Sequence, residues 1–419
     1  MPPVATGVGL PWDVVVADPV ATLAAARAAH GDVFVVDSGP DRYLFLFSPT
    51  ALESFYALPE ERASKGFADF RMLVRKLPEE IFGGRRVLPF ALFRRDDVAS
   101  YLANLDAALD ATIAELGESG ECDVFALTRR LGHRMGLASW AGPGAAHGEA
   151  FDRLVQAFDA LDGADSFVHP DAMAAVQAAG KVAERAALED VVAIVGATVE
   201  DVSDAAPLFG RIVEAWGDVS EDERRRGVAL DVALIHIASM SNLASALGWL
   251  LVDLIAHEDE RVGIASGDGA LAEQCALEST RIAQRSIMAR YVVTDVDVDI
   301  EDATLHVAAG ATIATLLPLL NTSAAPGLDD WSPHRWNRHR LAEPTHLATP
   351  TQVTAFGHGK HSCPAQPFSL AAMSMTARRL FAAYELTPQW TQRPRVVSAQ
   401  IGGVARPADE CRLAYRAVS

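Results

Sequence analysis

Over most of the chain apolar residues recur every three or four positions, the spacing of amphipathic helices. The pattern is clear in residues 49–58 (PTALESFYAL), 96–116, 122–139, 149–161 and the alanine-rich run 171–195. Period-two alternation marks strands instead. It predicts a hairpin over residues 32–48 around a Gly-Pro-Asp turn, and strands over Tyr291–Ile300 and Ala311–Leu317. An irregular stretch rich in proline and tryptophan runs from Asn321 to Ala355; a last helix over Pro364–Tyr384 leads into short valine-containing strands. No internal repeat, low-complexity linker or shift in composition divides these parts. The pattern predicts a mainly α protein with small β-sheets, one large domain spanning residues 1–419.

Residues 232–252 (VALIHIASMSNLASALGWLLV) carry no charge between Asp231 and Asp253. This run is long enough to span a bilayer. His236, Ser239, Ser241, Asn242 and Ser245 lie near its middle, acidic and basic groups both flank it, and no second such run exists. It reads as the buried central helix of a large protein.

Composition narrows the classes. Aspartate plus glutamate number 55 against 36 lysine plus arginine, a formal net charge of −19. Such a chain repels phosphate backbones and anionic membranes, so neither nucleic acid nor a membrane is an expected partner. The four cysteines are dispersed (Cys122, Cys275, Cys363, Cys411), unlike a secreted disulfide framework. The first twenty residues lack a basic region followed by an apolar one. A cytoplasmic, monomeric globular protein is expected.

Candidate chemistry concentrates in Phe356–Ala365, FGHGKHSCPA. Glycines permit tight turns and close approach to a flat ligand, and a cysteine opening a helix is stabilised as thiolate, the metal-binding form. Three readings stand on these residues alone: a thiolate ligand to haem iron, a zinc site using His358, His361 and Cys363, or a small buried cysteine. The GHGKHS string lacks the spacing of a phosphate loop.

The pattern Phe356-Gly357-x-Gly359-x-His361-x-Cys363 resembles the haem-binding loop of the cytochrome P450 family. Glu278-Ser279-Thr280-Arg281 resembles that family's ExxR motif, whose two side chains share a helix face, and Pro333-His334-Arg335-Trp336 resembles its Pro-x-Arg-aromatic segment. The resemblance implies a haem b with Cys363 as axial thiolate, and a structural network of Glu278, Arg281 and Arg335. It implies His361 and Arg290 at the propionates, and Ile287 and Met288 as pocket walls. An apolar small-molecule substrate is implied, with a ferredoxin and its reductase as redox partners. The basic positions Arg338, His339, Arg340 and Lys360 either steer an acidic ferredoxin or form a solvated loop.

Two departures bear on the reaction. Where the family has an acid and a threonine beside the oxygen site, this chain has Ser241 and Asn242, after Ala238. An amide does not readily pass protons. Positions 238, 242 and 246 fall one turn apart, so Ala238, Asn242 and Ala246 are expected on one face. Near Phe82–Arg95 the family's Trp-x-x-x-Arg helix is not evident, and Arg85 or Arg86 is the substitute for its propionate contact. These departures favour chemistry on a pre-activated substrate: N–O or O–O cleavage with oxo or nitrenoid transfer, isomerisation or peroxygenation, in specialised metabolism. The alternative is an ordinary monooxygenase using dioxygen and a redox partner. A non-enzymatic haem sensor is the remaining class, and no signalling segment supports it.

Overall fold

The computed structural model describes residues 2–85, 94–201, 206–342 and 346–418. Its axis is the helix Glu221–Ala256, 36 residues long and so longer at both ends than its uncharged middle. Ser220 starts it through a reciprocal capping box with Glu223, and Glu221, Asp222 and Glu223 complement the positive end of the helix dipole. It packs against the helices Val124–Trp140, Val182–Ala197, Gly269–Ala283 and Gln366–Ala383. By length and hydropathy it could cross a membrane, but 67% of its most apolar window is buried inside the protein.

The early hairpin forms as expected, Val33–Ser38 pairing antiparallel with Asp41–Leu46. It belongs to a five-stranded sheet running Val33–Ser38, Asp41–Leu46, Thr312–Leu316, Ile287–Val292 and Ala63–Ser64. The pairing of Asp41–Leu46 with Thr312–Leu316 is parallel and joins segments far apart in the sequence. A second sheet joins Tyr384–Pro388, Arg412–Ala417 and Ser119–Asp123.

Two elements differ from the sequence pattern. The run 171–195 is two helices, Pro170–Ala178 and Val182–Ala197. Gly180 and Lys181 adopt positive φ (62° and 57°) between them, a left-handed stop that periodicity does not reveal. The strand expected over Tyr291–Ile300 is also two, Ile287–Val292 and Val296–Ile300, the latter pairing with Ala303–Val307.

Candidate functional site

Glu278 and Arg281 lie on the helix Gly269–Ala283, started by the Asp268 side chain, and both are fully buried. Arg281 donates Nε and Nη2 to the two oxygens of Glu278, both at 2.8 Å, and its Nη1 to the carbonyl of Leu328 at 2.7 Å and to that of Asn321. Arg335 Nε meets Glu278 Oε1 at 2.9 Å, and the Trp336 indole N–H donates to Oε2 at 2.8 Å. The backbone N–H of Ser332 completes the shell at 2.9 Å. A carboxylate buried with this many donors is compensated, as a buried charge must be.

This cluster reaches the cysteine loop through two residues that the sequence does not mark. The Asn321 amide donates to the carbonyls of Arg281 (3.0 Å) and Thr354 (2.9 Å), and its oxygen accepts from Thr354 N–H (2.9 Å). The Thr354 hydroxyl donates to the Gly357 carbonyl (3.1 Å) and accepts from Phe356 N–H (3.1 Å). Phe356 in turn accepts the N–H of Cys363 at 2.7 Å. Gly357 is required by geometry: its φ is +83°, and a Cβ would lie 2.4 Å from the His361 carbonyl oxygen. Gly359, at φ +56°, faces open space.

Cys363 precedes the helix Gln366–Ala383, close to the backbone N–H groups of Ala365 and Gln366 at its start. Burial raises the thiol pKa, while those two N–H groups and the charge of Lys65 work in the opposite direction. His361 is 5% exposed, between the rings of Phe55 (5.3 Å) and Tyr56 (5.5 Å). Among the described residues neither of its ring nitrogens has a hydrogen-bond partner, nor does the buried Tyr56 hydroxyl. Burial, then the charges of Arg290 and Lys65, push the His361 pKa down to about 3. Arg290 is buried, donating to the carbonyls of Ala63 (2.8 Å) and Phe55 (3.2 Å) and to Glu60 (3.3 Å).

On the central helix, Ala238 and Asn242 are the only exposed residues between Gly227 and Leu254. A face open to space thus interrupts an otherwise buried helix. Ala246, expected to extend that face, is buried at 4% in the core. Met288 is also core, while half-buried Ile287 lines a cavity of about 30 Å³ with Trp12, Tyr43, Arg71 and Arg75. Ser241, one position from Asn242, is rotated about 100° around the helix. It faces another cavity, of about 10 Å³, beside His133 and His236. Arg85 also sits elsewhere than the sequence suggests: it pairs with Asp218 at 2.6 Å and stacks over Trp216. Arg86 lies outside the described residues. In the basic stretch His339 pairs with Glu273, while Arg338, Arg340 and Lys360 are exposed. Among the described residues no cluster of three or more His, Cys, Asp or Glu side chains could hold a metal, so the zinc reading lacks a ligand set there.

No protein-family model matches the chain. A solved structure described as retinoic acid bound cyanobacterial CYP120A1 matches it with a TM-score of 0.75, covering 100% of this chain and 99% of that one at 17% identity. The fold is that of cytochrome P450. Two curated relatives, the 24-hydroxycholesterol 7-alpha-hydroxylases of Homo sapiens and Mus musculus, are 23% and 22% identical over 230 and 231 residues. The match takes in 49% of this chain and 47% of each relative, so it spans about half the length of these proteins.

The P450 fold implies a haem with a cysteine thiolate ligand, and the residues present fit one. A cysteine beside the backbone N–H groups of a helix start suits a thiolate. The unpartnered His361 imidazole and Tyr56 hydroxyl, beside the charges of Arg290 and Lys65, suit an anionic group. Tyr56 was missed in the sequence, where it is one more aromatic on an amphipathic helix.

Proposed function

We propose that the protein is a haem-thiolate oxidoreductase acting on an apolar small molecule. The observation that carries this is the buried His361, without a hydrogen-bond partner among the described residues, two residues before a cysteine at a helix start. Cys363 would ligate the iron of a haem b, with His361 and Arg290 at the propionates. Thiolate-ligated haem supplies electron density that promotes cleavage of O–O and N–O bonds. The chain's own part is positional. The Glu278 cluster holds Asn321, Asn321 holds Thr354, and Thr354 fixes the turn that presents Cys363. Ala238 keeps the open face low, and Asn242 supplies its polar group.

We assign the reaction to the pre-activated substrate class, by N–O or O–O cleavage with group transfer, isomerisation or peroxygenation, in specialised metabolism. Ser241 is turned toward His133 and His236, so no hydroxyl of the 241–242 pair shares the exposed face with Asn242. A positioned hydroxyl with a proton supply is what protonation of reduced dioxygen needs. Ordinary monooxygenation is the second reading, favoured by the names of the curated relatives, both hydroxylases. A ferredoxin at the exposed Arg338, Arg340 and Lys360 would serve that reading. A cytoplasmic, monomeric protein suits both.

The test is reconstitution with haemin followed by turnover of N–O- and O–O-bearing substrates with and without dioxygen and reductant. Product in the absence of both is expected, together with a thiolate-type carbonyl spectrum that Cys363→Ala abolishes. Strict dependence on dioxygen and reductant would select the second reading. A normal thiolate spectrum in Cys363→Ala would overturn both.

A further inference from the structure

The exposed face of the central helix is bordered by the turn Gly402–Val404. Gly402 and Gly403 both have positive φ, 110° and 64°. Gly402 N–H donates to the Arg285 carbonyl and Arg285 N–H to the Gly403 carbonyl, each at 2.8 Å. The Ser286 hydroxyl also reaches the Gly403 carbonyl, and the Gln400 amide donates to the carbonyls of Gly402 (2.8 Å) and Val404 (3.0 Å). All three carbonyls of the turn therefore have donors.

The turn is tied to the helix by Asn242, whose Oδ1 accepts the Val404 N–H at 2.9 Å. The approach is close: a Cβ on Gly403 would lie 2.5 Å from that oxygen. On its other side Asn242 donates Nδ2 to the Ala238 carbonyl at 3.4 Å. A backbone N–H only donates and a carbonyl only accepts. These two partners of opposite kind therefore fix which way the amide points: its oxygen is used up against the turn, and its NH₂ lies along the exposed face. One N–H goes to Ala238; the other has no partner among the described residues.

We infer that Asn242 makes the site selective for substrates that carry a hydrogen-bond acceptor oxygen (a ketone, ester, nitro or N-oxy group), with the Val404 clamp holding the amide in its donor orientation. This rests on the proposed reading that substrate occupies the space against Ala238 and Asn242. A donor-only face favours an acceptor, pairs with a hydroxyl oxygen but leaves that hydroxyl's own O–H unmatched, and leaves an unsatisfied group against a plain hydrocarbon.

The experiment uses holoenzyme and three carbon skeletons, cyclohexane, tetralin and androstane, each as hydrocarbon, ketone and alcohol, with affinities read from ligand-induced haem spectral shifts. For at least one skeleton the ketone is expected to bind on the order of ten-fold tighter than the hydrocarbon, the effect of one net hydrogen bond. Asn242→Asp keeps an acceptor for Val404 and loses both donors, so there the ketone should fall below the alcohol. Equal ketone and hydrocarbon affinities, no ketone binding by a haem-loaded protein, or a ketone preference that survives Asn242→Asp would overturn the inference. Failure to take up haem would instead overturn the functional reading. The clamp is then still tested in the haem-free protein by hydrogen exchange at the Val404 amide. Protection is expected in wild type and Asn242→Asp, with exchange roughly 10- to 100-fold faster in Asn242→Ala. Equal exchange in all three would show that no clamp exists.

Discussion

The Glu278 cluster and the His361 cradle are both buried, both polar and linked by the same backbone, yet they are finished to different degrees. Around Glu278 two arginines, an indole and a backbone N–H converge on one carboxylate, and the arginines' remaining N–H groups meet carbonyls. Around His361 two ring nitrogens and a tyrosine hydroxyl have no hydrogen-bond partner among the described residues. Native proteins rarely tolerate unsatisfied buried groups without a reason. The first region is complete within the chain; the second leaves polar atoms that the proposed haem would satisfy.

The largest expected effect breaks the finished cluster. Glu278→Ala strands the buried Arg281 guanidinium and the half-buried Arg335 and should cost about 3–5 kcal/mol, seen as a lower melting temperature even without haem. His361→Phe, fitted between Phe55 and Tyr56, removes no hydrogen bond. It should change the haem-free protein by less than about 1 kcal/mol but speed haem loss from the holoenzyme. Equal destabilisation by both substitutions would erase the contrast.

A smaller effect separates two glycines of the loop. Gly357→Ala combines a left-handed backbone with a clash against the His361 carbonyl and should cost about 1–3 kcal/mol. Gly359→Ala meets only open space and should cost about 1 kcal/mol. Denaturant titration of the two variants checks the order, and a reversed order would mean that the turn relaxes.

The last effect appears only on acidification and concerns a buried histidine that does have partners. His236 accepts from the Trp140 indole (3.1 Å) and lies 2.7 Å from His133, which continues to Asp159 at 3.2 Å. Burial, then the charges of His133 and Arg129, hold its pKa well below the ordinary 6.5. Below pH 6.5 the unfolded chain binds a proton there that the native state refuses. Stability should therefore be intact above that pH and decline below it, by up to about 1.4 kcal/mol per pH unit. His236→Gln keeps an acceptor and a donor without titrating, and should flatten the decline measured by urea unfolding. An unchanged slope would place the acid sensitivity elsewhere.

How much of this was legible in the sequence follows physical lines. The hairpin and the central helix announce themselves through local pattern, and ExxR, Pro-x-Arg-Trp and the cysteine loop through fixed spacing. Asn321, Thr354 and Tyr56 carry no such mark, because each matters through contacts set only by tertiary packing. Ser241 and Asn242 show the limit within a single helix. Adjacent in sequence, they point to different sides of the helix, Ser241 to a cavity and Asn242 to the exposed face, and only the Val404 N–H from far along the chain reveals which way the amide points.

The parallel pairing of Asp41–Leu46 with Thr312–Leu316 sets a timetable for synthesis. The hairpin and its stacked Phe34, Phe45 and Phe47 emerge early from the ribosome, but the strand that covers one edge arrives some 270 residues later. At about 5–20 residues per second this is a wait on the order of tens of seconds. During that interval an aromatic sheet edge is open to other chains. The nascent chain is thus most exposed to aggregation at this hairpin, and slowing translation over residues 50–300 should lower soluble yield more than slowing it after residue 316.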